Sequence, residues 1–259
     1  MTDTPDFDRL KSFLDEKYFL YNNPQFIESD PISIPHRFKL KEDVEISGFL
    51  AATIAWGQRR TIITNALRLM HLMDNEPYRF IREASEHEFE KLNGFVHRTF
   101  NSDDCLFFIY SLRNIYRNYN GLQGVFENFF AETGNIKSSI AGFRSVFMET
   151  PHLSRNLKHL ANVDANSSAK RINMFLRWMV RKDDKGVDFG LWTGIPQSAL
   201  YIPLDLHTGN TARKLGLLSR KQNDWKAVEE LTSVLRKFDP TDPVKYDFAL
   251  FGLGVFEKY

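Results

Sequence analysis

The chain has 259 residues, 42% hydrophobic and 26% charged, which is an ordinary globular composition and excludes a disordered chain. Its 34 basic and 33 acidic residues nearly cancel, so bulk charge neither favours nor excludes a nucleic-acid partner. Cys105 is the only cysteine, which excludes an internal disulfide and a cysteine-ligated cluster and is typical of a reducing cytoplasm.

Targeting and metal-binding patterns are missing from the sequence. No charged-then-apolar leader opens it and no apolar run reaches membrane length, so we expect a cytoplasmic protein with no membrane partner. The seven histidines are scattered without the spacing of metal ligands, so we predict no metal site and no cofactor.

Three segments have helical periodicity. The first, over 43–57, is rich in small and apolar residues and is bounded by Asp43 and Gly57, which predicts a helix buried on most sides. The second, over 101–119, has polar and acidic residues ahead of an apolar stripe, a typical helix start. The third, over 167–182, places apolar residues at i, i+3, i+4 and i+7, which predicts one core-facing side.

Between the periodic segments, several stretches rich in Gly, Pro, Asn and Asp are expected to be loops: 120–124, 133–138, 183–198 and 239–243. Runs that alternate with period two are scarce, so no sheet is expected to organise the fold. We predict an all-α protein of about ten helices, judged by typical helix length. The residues 1–259 form either a single helical unit or two helical lobes with a cleft between them.

The segment YIPLDLHTGNTARKLGLL, residues 201–218, predicts a turn followed by a helix. Pro203 stops any earlier helix, Asp205 is a good N-cap, and Gly216 is a natural exit. Asp205 has two interpretations. It is a cap, or it is a carboxylate that stabilises positive charge developing on a sugar.

Positive charge is concentrated between residues 155 and 185, where eight basic residues stand against three acidic ones. This stretch is a candidate phosphate-facing surface. The alternative is a solvated helix face.

Three stretches together resemble the helix-hairpin-helix DNA glycosylase superfamily: 45–70, 167–179 and 202–218. The last is similar to the family signature in which a Pro and an Asp open a helix that ends at Leu-Gly-Leu. The most similar members are archaeal glycosylases for oxidised guanine, whose lysine and aspartate helices are separated by a long insert. The whole chain also resembles an uncharacterised conserved bacterial family. The resemblance implies a helix-hairpin-helix glycosylase-like fold, with the lysine and aspartate helices in approximately residues 155–218.

The resemblance also implies catalytic residues. Asp205 matches the family aspartate, which would stabilise the electron-deficient C1′ or activate the attacking group. Lys170, 35 residues earlier and beside Arg171, is the candidate amine for a lyase step through a Schiff base. The helix start and the neighbouring cation are expected to favour its neutral form. Alternatively, Lys170 contacts a phosphate. Arg177 competes for the aligned position, but an arginine stays protonated.

The chain departs from the family in its hairpin. The family turn usually contains Gly-x-Gly, which lets the backbone approach a phosphate, whereas residues 159–171 contain no glycine. Ser167 and Ser168, at the helix start with Arg171, can still present hydroxyls and N–H groups to a phosphate. The iron–sulfur cluster of some members is excluded because Cys105 is alone.

Further DNA contacts follow from the resemblance. Gln58 is in the position of the residue that enters the gap left by an extruded nucleotide, and Arg59 and Arg60 would anchor phosphates behind it. His207 and Thr208 would contact the backbone around the lesion. The alternative for these residues is ordinary solvation, capping and packing.

An extruded base would need an aromatic pocket, for which the candidates are Trp56, Trp178 and Trp192. Trp192 lies in the glycine-containing loop GLWTGIP and is the least core-like of the three. The alternative is that all three are buried in the core.

These features predict a DNA base-excision glycosylase, with or without an abasic-site lyase step. Its partner is expected to be double-stranded DNA containing a damaged base, such as an oxidised purine, with no obligate protein partner. The alternative is a catalytically silent DNA-structure-binding protein with the glycosylase fold. A silent binder does not need both Asp205 and Lys170.

Overall fold

In the computed structural model, which describes residues 7–259, regular structure is helical. Over that range there is no β-strand, and only two isolated bridges occur. The α-helices are α1 Phe7–Tyr21, α2 Pro24–Glu28, α3 Lys41–Thr53, α4 Arg59–Leu72, α5 Pro77–Glu83, α6 Glu86–Phe89, α7 Ser102–Asn118, α8 Gly121–Thr133, α9 Ile136–Phe147, α10 Lys170–Val180, α11 Leu206–Lys214, α12 Trp225–Phe238 and α13 Tyr246–Val255. The predicted all-α class is confirmed.

Short 3-10 helices connect several of these elements: Pro31–Ser33, Pro35–Arg37, Glu90–Leu92, Ser154–His159, Gln197–Ala199 and Pro243–Lys245. None of the helices described within residues 7–259 combines the length and the apolar character needed to cross a membrane.

The chain divides into two compact units. The terminal unit comprises residues 163–259 together with the N-terminal segment as far as Phe26, of which 7–26 are described. The central unit comprises residues 27–162. Lys170 and Asp205 therefore belong to the same unit, whereas Gln58 belongs to the other.

The central unit has an aromatic core. Phe49 of α3 stacks on Phe108 of α7, with ring centroids 5.9 Å apart, and both rings contact Phe147 of α9. Offset and edge contacts of this kind are favourable beyond the area they bury. Helix α7 starts where Asn101 and Asp104 form a reciprocal capping box, which satisfies two backbone N–H groups.

The terminal unit is built around α13, which packs against α1 and α11. Its sequence is apolar on nearly all sides, as expected of a helix that is covered on most faces. A Cβ at Gly252 would lie 2.1 Å from the Cδ2 of Tyr21, so this glycine permits α1 and α13 to approach closely.

The predicted helices over 101–119, 43–57 and 167–182 correspond to α7, α3 and α10. The loop expected over 120–124 is wrong, because α8 begins at Gly121. Asn120 is left-handed, with φ of 58°, so the chain turns from α7 to α8 within the two residues Tyr119 and Asn120. Thirteen α-helices are described rather than about ten, since short helices such as α6 carry too little periodicity to be recognised.

Candidate active site in the terminal unit

Helix α10 begins at Lys170, three residues after the start of the predicted segment, so Lys170 is in the first turn as expected. The preceding residue, Ala169, is left-handed with φ of 49°, and its N–H donates to the Oγ of Ser167 at 3.3 Å. The side-chain amide of Asn173 donates to the carbonyl of Ser168 at 3.2 Å. These contacts fix the turn and place the Lys170 side chain on the first turn of the helix.

This turn differs from the glycine-containing hairpin of the helix-hairpin-helix glycosylases, which the sequence resembles. No α-helix is formed over residues 160–169, which follow the 3-10 helix Ser154–His159. Asn166 and Ala169 have φ of 64° and 49°, a conformation that glycine adopts most easily. The chain thus adopts left-handed backbone conformations ahead of α10 without the Gly-x-Gly turn of the glycosylases.

One face of α10 carries a row of side chains at i, i+4 and i+7. The ammonium Nζ of Lys170 lies 3.4 Å from the Sδ of Met174, and Arg177 follows one turn later. Arg177 is only 3% exposed and is not a nucleophile candidate. Its guanidinium lies 4.3 Å from the ring centroid of Phe248, so it is held on α13.

Arg177 binds two buried carboxylates. Its Nε donates to the Oδ1 of Asp188 at 3.2 Å, and its Nη1 donates to the Oδ2 of Asp247. Asp247 is the second residue of α13 and is 6% exposed. The two carboxylates come from the loop after α10 and from the last helix of the chain, so the arginine ties three segments together.

Asp205 is the N-cap of α11. Its Oδ1 accepts a hydrogen bond from the backbone N–H of Thr208 at 2.9 Å, which satisfies one unpaired donor of the helix start. The side-chain amide of Asn223 donates to the Asp205 carbonyl at 3.0 Å. Within residues 7–259, no hydrogen bond reaches Oδ2 of this half-buried carboxylate. One oxygen therefore caps the helix while the other can act on a ligand.

Helix α11 packs closely on α13. A Cβ at Gly254 would lie 2.8 Å from the Oγ1 of Thr211 and 3.1 Å from the Cβ of His207, so only glycine permits this contact. Gly254 lies two turns after Asp247 on the same helix, at i+7. The face of α13 that carries Asp247 is consequently the face turned toward α11.

The carboxyl of Asp247 is influenced by both predicted catalytic residues. Burial raises its pKa to about 7; Arg177 and Lys170 oppose this rise, and Asp205 and Asp188 add to it. Lys170 is the first residue of α10 and Asp205 is the N-cap of α11, so these two influences come from the starts of two different helices of the terminal unit.

A chain of alternating charges continues away from this point. Asp188 accepts from the Nη1 of Arg181 at 3.0 Å, and the Nε of Arg181 donates to Asp242 at 2.9 Å. Arg181 also lies 2.8 Å from Asp183. The pKa of Arg181 is raised, because Asp188 and Asp242 outweigh the effect of burial. These pairs anchor α10 within the terminal unit.

The ion pairs correct one prediction. The basic stretch 155–185 does not form a continuous phosphate-facing surface, because Arg177 and Arg181 are buried against acidic partners. In the central unit, Arg155 lies 3.1 Å from the buried Asp104. The net positive charge counted along the sequence is therefore partly neutralised by acids from distant segments.

The tryptophan predictions also require correction. Trp178 is 0% exposed and Trp192 is 1% exposed, so neither offers a face for a base to stack on in this structure. Trp192, which we expected to be the least core-like, packs edge-on against Phe175 with centroids 5.4 Å apart. Trp56 is only partly buried and stays a candidate for stacking.

The predicted DNA probe lies in the central unit. Gln58 does not end α3; it is the exposed residue that precedes α4, in the link between the two helices. A ring nitrogen of His97, Nε2, lies 3.1 Å from the carbonyl of Trp56 and fixes this link. Arg59 and Arg60 form the first turn of α4.

The other residues predicted to contact DNA lie around the starts of α10 and α11. Ser167 and Ser168 are half-buried, and burial lowers the pKa of Arg171 to about 10. His207 is exposed, whereas Thr208 is buried, so its hydroxyl cannot reach a DNA backbone in this structure.

Sequence reasoning did not identify Asp247 or Asp188. Each is an acid inside an apolar run, in YDFALFGL and GVDFG respectively. An apolar run is expected to be buried, and a buried carboxylate nearly always has a cationic or hydrogen-bonding partner. An acid within such a run therefore indicates a buried ion pair, even though its partner is not visible in the sequence.

The class of protein defined by these observations is an all-α protein in which Lys170, Asp205 and Asp247 stand at the starts of three helices of one compact unit. Residues 30–256 match the family described as protein of unknown function (DUF2400), and the chain belongs to that family. No curated protein and no solved structure matches the chain.

Proposed function

We propose that the protein is a DNA glycosylase that removes a damaged base from duplex DNA and has an associated lyase step. The observation that carries this proposal is that Lys170 and Asp205, the two residues that the resemblance marks as catalytic, each stand at the start of a helix in the same compact unit. A resemblance in fold does not by itself imply an activity, so the proposal depends on these two side chains.

The chemistry requires a carboxylate and, for the lyase step, an amine. As the bond between C1′ and the base breaks, its electron pair leaves with the base and C1′ becomes electron-deficient. The oxygen of Asp205 that does not cap α11 is available to stabilise that charge. Attack by the Lys170 amine would form a bond between Nζ and C1′, and opening of the sugar ring would then give a Schiff base.

Binding to duplex DNA is supported by features of both units. In the terminal unit, the start of α10 offers backbone N–H groups beside Ser167, Ser168 and Arg171, which together favour a phosphate. In the central unit, Gln58 and Arg60 are exposed at the start of α4, and Arg59 is partly exposed. We assign these residues to backbone contacts and to the gap left by the extruded nucleotide.

The proposal is tested by incubating the protein with a panel of duplexes, each containing one damaged base, and then treating them with alkali to cleave at abasic sites. Strand cleavage after alkali with at least one lesion supports the glycosylase. Duplex binding that weakens steeply with salt but is never accompanied by base release would favour the silent DNA-structure binder. Absent or salt-insensitive binding would contradict both functions.

A further inference from the structure

The central unit contains a groove whose lining residues take no part in the candidate active site. One wall is a single face of α7, with side chains spaced at i, i+3, i+4, i+7 and i+8: Tyr110, Arg113, Asn114, Arg117 and Asn118. The other wall is formed by Thr150 and Pro151, which follow α9. The groove has a volume of about 460 Å³, which is in the range of sites that hold small organic molecules.

Arg113 is fixed in the groove with part of its guanidinium left available. Its Nε donates to the carbonyl of Ile81 at 2.6 Å, and its Nη2 donates to the carbonyl of Ala84 at 2.5 Å. The guanidinium also lies 4.4 Å from the ring centroid of Phe89. These contacts hold the cation in one orientation, and within residues 7–259 no hydrogen bond uses its Nη1.

Arg117 is exposed and follows Arg113 by one turn. Its Nη2 donates to the carbonyl of Arg82 at 3.2 Å. Both lining arginines are thus held by neutral carbonyl groups near the end of α5, and in the part of the chain that the structure describes neither forms an ion pair. Burial lowers the pKa of Arg113 and the charge of Arg117 lowers it further, although Glu86 opposes the change. Like charges at i and i+4 repel, so an anion that binds both arginines would be stabilising.

Two acids stand beside the groove, and neutral groups bind them. Glu86 accepts a hydrogen bond from the hydroxyl of Tyr110. Glu149 accepts from the side-chain amide of Asn114 at 3.1 Å and from the hydroxyl of Tyr119 at 2.6 Å. Neither acid is among the lining residues. The lining therefore carries two cations and no carboxylate, which favours an anionic ligand.

We propose that this groove binds the phosphate group of a phosphomonoester. The planar guanidinium groups of Arg113 and Arg117 present N–H donors whose geometry matches phosphate oxygens, and a phosphate would offset their mutual repulsion. The rings of Tyr110 and Pro151 supply apolar surface for the organic part of the ligand. The inference goes beyond the proposed function and does not depend on it.

The first measurement compares two ligands that differ only in the phosphate. Deoxyadenosine 5′-monophosphate and deoxyadenosine are titrated into the full chain at low salt, and binding is followed by calorimetry. We expect the monophosphate to bind at least about 10-fold more tightly, because the nucleoside lacks the charge-assisted hydrogen bonds to the arginines.

A second pair of ligands distinguishes a free small molecule from the end of a nucleic-acid strand. A short single strand of DNA is titrated with either a phosphate or a hydroxyl at its 5′ end. Tighter binding of the phosphorylated strand than of the monophosphate would identify the strand end as the source of the phosphate, and the reverse would identify a free molecule. Affinities that ignore the phosphate in both pairs would overturn the proposal.

Two variants test whether the ligand lies in the groove. Arg117→Gln should weaken binding of the monophosphate at least about 10-fold, because it removes one of the two cations. Arg82→Gln is the matched control, since this exposed arginine lies against the ring of Tyr78 and does not line the groove. The control should leave the affinity nearly unchanged. Equal weakening by both variants would indicate general attraction to positive charge and overturn the proposal.

The structural alternative is that the two arginines serve only to cap the end of α5. Pro151→Glu tests this without removing either arginine, because it introduces a carboxylate at an exposed position of the opposite wall. We expect it to abolish phosphate-dependent binding while urea unfolding stays at the parental midpoint. If Arg117→Gln does not fold, Pro151→Glu decides alone. Unchanged affinity of Pro151→Glu for the monophosphate would leave the arginines as caps and overturn the proposal.

Discussion

Arg177 donates a hydrogen bond to Asp247 across 70 residues of sequence, and this buried ion pair joins the lysine helix α10 to the last helix of the chain. The pair ties together two helices of the unit that also contains Lys170 and Asp205. Lys170 lies two turns before Arg177 on the same face, and Asp205 starts the helix that packs on α13.

The first prediction concerns Asp205. Asp205→Asn should reduce base release by at least about 100-fold, because it removes the negative charge that stabilises C1′. Duplex binding should remain nearly unchanged, since Asn caps a helix about as well as Asp. Base release is measured by alkali cleavage and binding by titration. Release at the parental rate would show that Asp205 is only a cap.

The second prediction concerns the start of α4. Replacing Arg59 and Arg60 with Ala should weaken binding to duplexes of all sequences alike and reduce the slope of log affinity against log salt by about two. The matched control replaces Arg79 and Lys91, which lie in the same unit and pair with Glu76 and Asp74. An unchanged slope in the test variant would place the DNA surface elsewhere.

The third prediction concerns the nucleophile. Lys170→Gln should lose the borohydride-trapped adduct while keeping duplex binding, because an amide cannot form a Schiff base. Gel electrophoresis of the protein bound to labelled DNA detects the adduct. If trapping survives, another lysine is the nucleophile, and Lys185, whose Nζ lies 3.2 Å from Asp184, is the next to test. If bases are released but no adduct forms with the parental protein, the enzyme is a monofunctional glycosylase.

The fourth prediction concerns the buried ion pairs. Arg181→Met should lower the free energy of unfolding by about 3–5 kcal/mol, because it leaves Asp242 buried without its cation and leaves Asp188 with Arg177 alone. Urea unfolding measures the effect. Lys91→Met removes a surface pair with Asp74 and should change stability little. Similar values for the two variants would contradict the structural role of Arg181.

The fifth prediction follows from the raised pKa of Asp247. A carboxyl with a pKa of about 7 when folded and an ordinary value of 3.8 holds its proton more tightly in the native protein. Its contribution to stability is therefore present below about pH 4 and is lost as pH rises to 7, by about 4 kcal/mol.

The measurement for this fifth prediction is the difference in unfolding free energy between the parental protein and Asp247→Asn, taken from pH 4 to 8. Asp224 and Asp239, whose pKa values are lowered, have the opposite pH dependence, but they are common to both proteins and cancel. Parallel stability curves would contradict the assignment.

Local sequence patterns were sufficient to predict where several helices start and end. The start of α11 at Asp205 and its end before Gly216 follow from a cap, a preceding proline and a glycine, all within one short segment. The start of α7 follows from acids near a polar cap in the same way. Such features depend on hydrogen bonds between residues a few positions apart, so the amino-acid pattern carries them directly.

Tertiary packing decided which charges and rings are buried. The sequence by itself predicted an all-α protein and singled out Lys170 and Asp205, but it made Trp192 the least core-like tryptophan and placed Arg181 in a candidate phosphate-facing stretch. Trp192 is covered by Phe175 of α10, and Arg181 is neutralised by Asp242, 61 residues away. Asp247 meets Arg177 only because α13 packs within the same unit as α10, and α13 also packs against α11, whose N-cap is Asp205. Contacts over such distances arise from burying the apolar faces of separate helices, and no local pattern specifies them.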